Sequence, residues 1–168
     1  GAKSVRAFTE WYRIQRSKDS WDFRTADRIL ALYDRYHIRN MFTLAATPLW
    51  AAEDGIIWSG KPDHAAWRRY VAAMAERYKG RFANWEIWNE PDINKEQIKD
   101  YKSLTDLNIR TAEIIKRIEP DAKIAALALA FADAEFLEKC MQDFKERGKL
   151  ELFDWISYHQ YVFRPEDV

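Results

Sequence analysis

The chain has 168 residues, enough for one domain with a buried core. Its 27 basic residues balance 27 acidic ones, which leaves no electrostatic case for nucleic acid or an anionic membrane surface. No apolar run approaches the roughly 18 residues of a membrane helix, and the single cysteine, Cys140, excludes an internal disulfide.

The predicted elements alternate along the chain. Residues 4–11 (SVRAFTEW) read as a strand. Residues 23–38 carry Ile29, Leu30, Leu32, Tyr33 and Tyr36 at helical spacing. Residues 39–48 form a short apolar strand ended by Pro48. Residues 62–80 are helical, with Pro62 and Asp63 as start signals and Gly80 as a stop. Residues 84–90 (NWEIWNE) are a strand, and 94–120 a long helical region closed by Pro120. Residues 122–130 (AKIAALALA) are a nearly continuous apolar strand. A helix at 133–149 and a strand at 152–161 complete the series.

Strict β-α alternation with apolar strands argues for a parallel sheet covered by helices. A doubly wound sheet would place a Gly-rich phosphate turn after its first strand. None is present, and there are only five glycines. A (β/α)8 barrel instead collects polar residues at the C-terminal ends of its strands. Glu10, Thr47, Asn89, Glu90, His159 and Tyr161 fit that rule. The expectation is an α/β fold, a partial TIM barrel with five of the eight strands, occupying 1–168 as one unit.

Aromatic residues make up 15% of the chain, including eight tryptophans. Such rings stack on the apolar faces of sugars, and they also serve as core filler. In NWEIWNEPD (84–92), period two places Glu86, Trp88 and Glu90 on one face. Pro91 ends the strand. Glu90 thereby falls at the mouth of the barrel. Beside the indole of Trp88, a carboxylic acid is expected to hold its proton near neutral pH, as a general acid requires. The alternative is a solvated glutamate in a strand-end loop.

WNEP (88–91) resembles the acid/base motif of clan A glycoside hydrolases, retaining enzymes on a (β/α)8 barrel. VRAFTEWYRIQ is similar to their strand two, TLAATPLWA to strand three, and DWISYHQY to strand six. The run from the long helix through EPDAKI to FDWISYHQY is most similar to family 39, which includes β-xylosidases and α-L-iduronidases. The resemblance therefore implies strands two to six of the barrel and a catalytic domain.

It also implies roles. Glu90 is the acid/base. Asn89 hydrogen-bonds the sugar 2-OH. His159 and Tyr161 position the substrate or the nucleophile, Trp50 and Trp88 form sugar-stacking walls, and Arg6 lies near the nucleophile. Structural alternatives stay open: His159 as a core histidine, Tyr161 as a barrel cap, Arg6 as an internal ion-pair partner, Trp50 as packing.

A retaining mechanism needs a second carboxyl about 5–5.5 Å away. By resemblance it belongs to strand seven. Glu166, in a predicted loop, and Glu10 are not nominated. The chain is therefore expected to be a segment of a larger retaining glycosidase, with little activity alone. The expected partner is a glycoside or oligosaccharide. No cofactor, metal, nucleic acid or membrane is expected, while self-association or complementation through open barrel edges is. The competing reading is a non-catalytic carbohydrate-binding or assembly-forming partial barrel. Glu53-Asp54 and Asp63-His64 read as ordinary loop and helix-start acids. No Cys/His spacing resembles a zinc site, and Cys140 lacks an evident base.

Overall fold

The computed structural model describes residues 1–7, 9–93, 100–131 and 133–159. Among them, β1 (Ser4–Ala7), β2 (Arg39–Leu44), β3 (Asn84–Ile87), β4 (Ile124–Leu129) and β5 (Trp155–Tyr158) form one sheet. Its order is β1-β2-β3-β4-β5, and every neighbouring pair is parallel. A doubly wound sheet reverses direction at a switch point. Here each strand is added beside the last without reversal, so the sheet is part of a (β/α)8 barrel, as expected.

The helices are α1 (Trp11–Ile14), α2 (Arg24–Arg35), α3 (His64–Tyr78), α4 (Tyr101–Ile118) and α5 (Ala134–Glu146). Their starts follow from local chemistry. Asp63 accepts the Ala66 N–H at 2.7 Å, and Asp133 accepts that of Phe136 at 3.1 Å, each satisfying a donor that the first helical turn leaves free. Gly80, at φ +71°, takes the left-handed conformation that lets the chain turn away from α3. No helix among the described residues is long and apolar enough to cross a membrane.

The register divides the sheet into two faces. Thr43 pairs with Glu86, Glu86 with Ala125, and Ala125 with Trp155. Paired neighbours share a face, so Arg6, Thr43, Glu86 and Ser157 lie on the inner side. Phe42, Leu44, Trp85 and Ile87 face outward into a core with Leu30 of α2, Tyr70 and Met74 of α3, and Ile115 of α4. Leu127 and Leu129 of β4 pack with Cys140 and Phe144 of α5.

Several expected boundaries move, and one strand slips its register. The strand predicted over 4–11 ends at Ala7, and α1 begins at Trp11. Trp11 is fully buried and stacked 4.8 Å from Tyr70, which draws the chain out of the sheet. Glu10 consequently precedes a helix, ion-paired with Arg13 at 2.9 Å, rather than ending a strand. The strand predicted over 84–90 stops at Ile87 because Trp88 has φ +69°. In β4 the register slips between Ala126 and Leu129, with Leu127 at φ +74° and Ala128 at φ +44°. Asn108 of α4 stabilises this bulge: its side-chain oxygen accepts the Leu127 N–H at 3.0 Å.

Candidate active site

The bulge in β4 has a consequence for the neighbouring strand end. It presents the Ala128 carbonyl to the Glu90 N–H, at 2.8 Å. The Trp88 N–H is held by the Leu44 carbonyl at 2.9 Å. Trp88 and Glu90 both have positive φ, +69° and +49°, a conformation that costs a non-glycine residue free energy and needs such anchors. Asp92 adds another: its carboxylate accepts the N–H groups of Ala130 at 2.5 Å and Phe131 at 3.0 Å. The segment 88–92 is thereby fixed to β2 on one side and β4 on the other.

Four of the anticipated residues converge at this edge. The Glu90 carboxylate is 15% exposed and lies 3.0 Å from Nδ1 of His159, whose side chain is 20% exposed. The His159 backbone N–H donates to Leu129 O at 2.6 Å, so β4 positions both partners of the pair. Arg6 donates from Nη2 to Oδ1 of Asn89 at 2.8 Å.

The group that connects these two contacts is Glu86, whose side chain is fully buried. Its Oε2 accepts from Arg6 Nε at 2.7 Å and from Thr43 Oγ1 at 2.6 Å. Its Oε1 accepts from Ser157 Oγ at 2.7 Å and lies 3.8 Å from Nε2 of His159. A buried carboxylate without partners would be costly. Here a guanidinium and two hydroxyls satisfy it. Period two places Glu86 on the inner face, but only the cross-strand register brings Thr43 and Ser157 to it. The available sequence signal was a charged residue between Trp85 and Ile87, with Arg6 of opposite charge in another strand.

Trp88 departs from expectation. Its positive φ turns it out of the period-two pattern, and the side chain is fully buried, its ring 5.7 Å from that of Trp67 in α3. It belongs to the core between sheet and helices and presents no face for a sugar to stack on. Trp50 is partly buried. Its indole N–H donates to the Gln15 carbonyl at 3.1 Å, and its ring meets Trp11 edge-on at 5.9 Å. Tyr161 and Glu166 lie outside the described residues.

Among the described residues, no group of three or more His, Cys, Asp or Glu could hold a metal ion. Burial pushes the Cys140 thiol up to about 12, so it stays protonated and unreactive at neutral pH. The arrangement can hold a proton between Glu90 and His159, offer a polar side-chain pair through Arg6 and Asn89, and keep a buried charge behind both.

The sequence profile of glycosyl hydrolases family 39 matches residues 6–167. The chain belongs to this family. The motif residues Asn89 and Glu90 and the strand leading to His159 all fall inside the match. None of the curated protein sequences compared with this family 39 chain matches it significantly.

Among solved structures, a family 39 glycoside hydrolase from Bacteroides cellulosilyticus WH2 superimposes with a TM-score of 0.75 at 16% identity, covering 96% of this chain and 33% of that one. A monomeric beta-xylosidase from Caulobacter crescentus CB15 gives 0.71 at 22% identity, covering 88% and 32% respectively. Xylanase B from Clostridium stercorarium F9 gives 0.69 at 15% identity, covering 97% and 57%. These likenesses establish the fold. The family 39 chain spans about a third of the length of the first two.

Proposed function

We propose that residues 1–168 form the part of a retaining glycosidase that carries its general acid/base, Glu90. The observation that supports this most directly is the Glu90–His159 contact of 3.0 Å at the C-terminal edge of the sheet. That edge is where a (β/α)8 barrel gathers its chemistry. Glu90 protonates the glycosidic oxygen as the bond breaks, then removes a proton from the water that releases the sugar. His159 orients the carboxyl group. Asn89, steadied by Arg6, hydrogen-bonds the sugar 2-OH. The nucleophilic carboxylate comes from a strand beyond the five described here. The substrate is an O-glycoside, and a β-xyloside is the first to test, because a structural neighbour is named a beta-xylosidase.

The test rests on leaving-group chemistry. A poor leaving group needs protonation and a good one does not. In a polypeptide extended to complete the barrel, Glu90→Gln should slow hydrolysis of alkyl xylosides by about 10²–10⁴-fold. Dinitrophenyl xyloside should lose much less in the bond-breaking step. Equal losses for both classes would refute the general-acid role. If the extended protein binds sugars, hydrolyses none, and binds them equally well with Gln at position 90, the non-catalytic carbohydrate-binding reading replaces it.

A further inference from the structure

Helix α4 buries three polar side chains: Thr105, Asn108 and Thr111. Thr105 donates to Asp143 of α5, and Thr111 accepts from the indole N–H of Trp67 in α3. Asn108 alone of the three bonds to the sheet. It is fully buried near the middle of the helix, where asparagine is a poorer helix former than leucine. Its amide fits its partners in one orientation. The Leu104 carbonyl can only accept, so Nδ2 faces it at 2.8 Å, and the Leu127 N–H can only donate, so Oδ1 faces that at 3.0 Å.

Leu127 lies inside the bulge of β4. Between Ala126 and Leu129 this strand carries one residue more than β5 does between Ile156 and Tyr158. Leu127 at φ +74° and Ala128 at φ +44° occupy a region that non-glycine residues keep only under constraint. The bond from Asn108 supplies constraint at Leu127. The next two carbonyls along the chain, those of Ala128 and Leu129, accept the backbone N–H of Glu90 at 2.8 Å and of His159 at 2.6 Å. The two residues whose side chains meet at 3.0 Å therefore hang from consecutive carbonyls, directly after the residue that Asn108 holds.

We propose that Asn108 is a positioning residue for the Glu90–His159 pair, acting from the helix layer through the backbone of β4. Without it, the Leu127 N–H becomes a buried donor lacking its acceptor, and the strained stretch is free to relax toward an extended strand. Relaxation turns the peptide planes that carry the Ala128 and Leu129 carbonyls, and Glu90 and His159 move with them. A displacement of about 1 Å costs a reaction on the order of 10²-fold in rate. The consequence for catalysis rests on the acid/base reading of Glu90, whereas the backbone tie does not.

Two measurements on the barrel-completing polypeptide test this. Amide hydrogen exchange reads the backbone. Asn108→Leu should speed exchange at Glu90 and His159 by about tenfold or more, the loss of roughly one hydrogen bond, with a much smaller change at Phe42 of β2. Leaving-group dependence reads the acid. In Asn108→Leu, kcat/KM for alkyl xylosides should fall by about 10–10²-fold, while dinitrophenyl xyloside, which needs no protonation, loses much less. A smaller folded population would lower both equally. Asn108→Asp keeps an oxygen for the Leu127 N–H and should stay close to the parent in both readouts.

Equal losses on the two substrates would overturn the proposal, as would exchange at Glu90 and His159 that rises no more than at Phe42. So would an Asn108→Asp variant as impaired as Asn108→Leu. Should Asn108→Leu fail to fold, the parent protein decides the point: a Leu127 amide that exchanges as fast as those of exposed loops is not held by Asn108, and the proposal fails. If exchange responds as stated but Glu90→Gln shows no dependence on leaving group, the glycosidase reading fails while the backbone tie stands.

Discussion

Trp88 shows most clearly what one residue's backbone angle decides. At φ +69° it leaves the ladder after Ile87, and its indole enters the core against Trp67. Alternation along a strand predicts the opposite, because the rule assumes extended backbone at every step. That Asn89, Glu90 and His159 fall just after strands was legible, because the β-α alternation of the chain places a strand before each. The role of Glu86 was not, since its hydroxyl partners, Thr43 and Ser157, are ordinary strand residues until the register is known. The placement of Trp88 yields a prediction. Trp88→Ala should destabilise the chain by about 3–5 kcal/mol by leaving a large cavity. Urea unfolding followed by fluorescence measures this. A loss below about 1 kcal/mol would mean the indole is not packed as described.

Among the elements, the order and type of the strands and of the longer helices were legible, whereas the short α1 and the element ends were not. Each predicted helix overlaps an observed one because its apolar periodicity covers several turns. Ends depend on individual tertiary bonds, such as the pull of Trp11 into the core beside Tyr70. One such bond joins α2 to α3. Arg77 donates to both carboxylate oxygens of Asp27, at 3.1 and 2.6 Å, and the Tyr78 hydroxyl donates to one of them at 2.9 Å. The Arg77 guanidinium holds the Asp27 carboxyl below its usual value, against the opposing effect of partial burial. A carboxyl whose value falls on folding contributes stability that is complete above its unfolded value. That stability is lost as pH falls through the folded value. The window therefore lies below about pH 4. Asp27 is 40% exposed, so screening limits the contribution to less than about 1 kcal/mol. Unfolding free energies should fall less steeply below about pH 4 in Asp27→Asn than in the parent. Equal acid slopes would show that this pair does not couple the two helices.

At the scale of the whole molecule, the sheet is open. A closed barrel has no edge, whereas β1 and β5 each pair on one side only among the described residues. Unpaired strand edges template further pairing. β5 adds apolar surface to that tendency: Trp155 is 49% exposed and Tyr158 52%. The inner face also carries Arg6 and Glu86, which a full barrel would enclose. The chain by itself is therefore expected to associate through β5, with a weight-average mass that rises with concentration in sedimentation equilibrium. The double variant Trp155→Lys, Tyr158→Lys places charge on that strand, where lysine blocks edge pairing. It should shift the association to at least about tenfold higher concentration, which corresponds to about 1.4 kcal/mol. A parent chain that stays monomeric across the same range would show that these edges are covered. A parent that associates equally well with both lysines in place would move the contact away from β5.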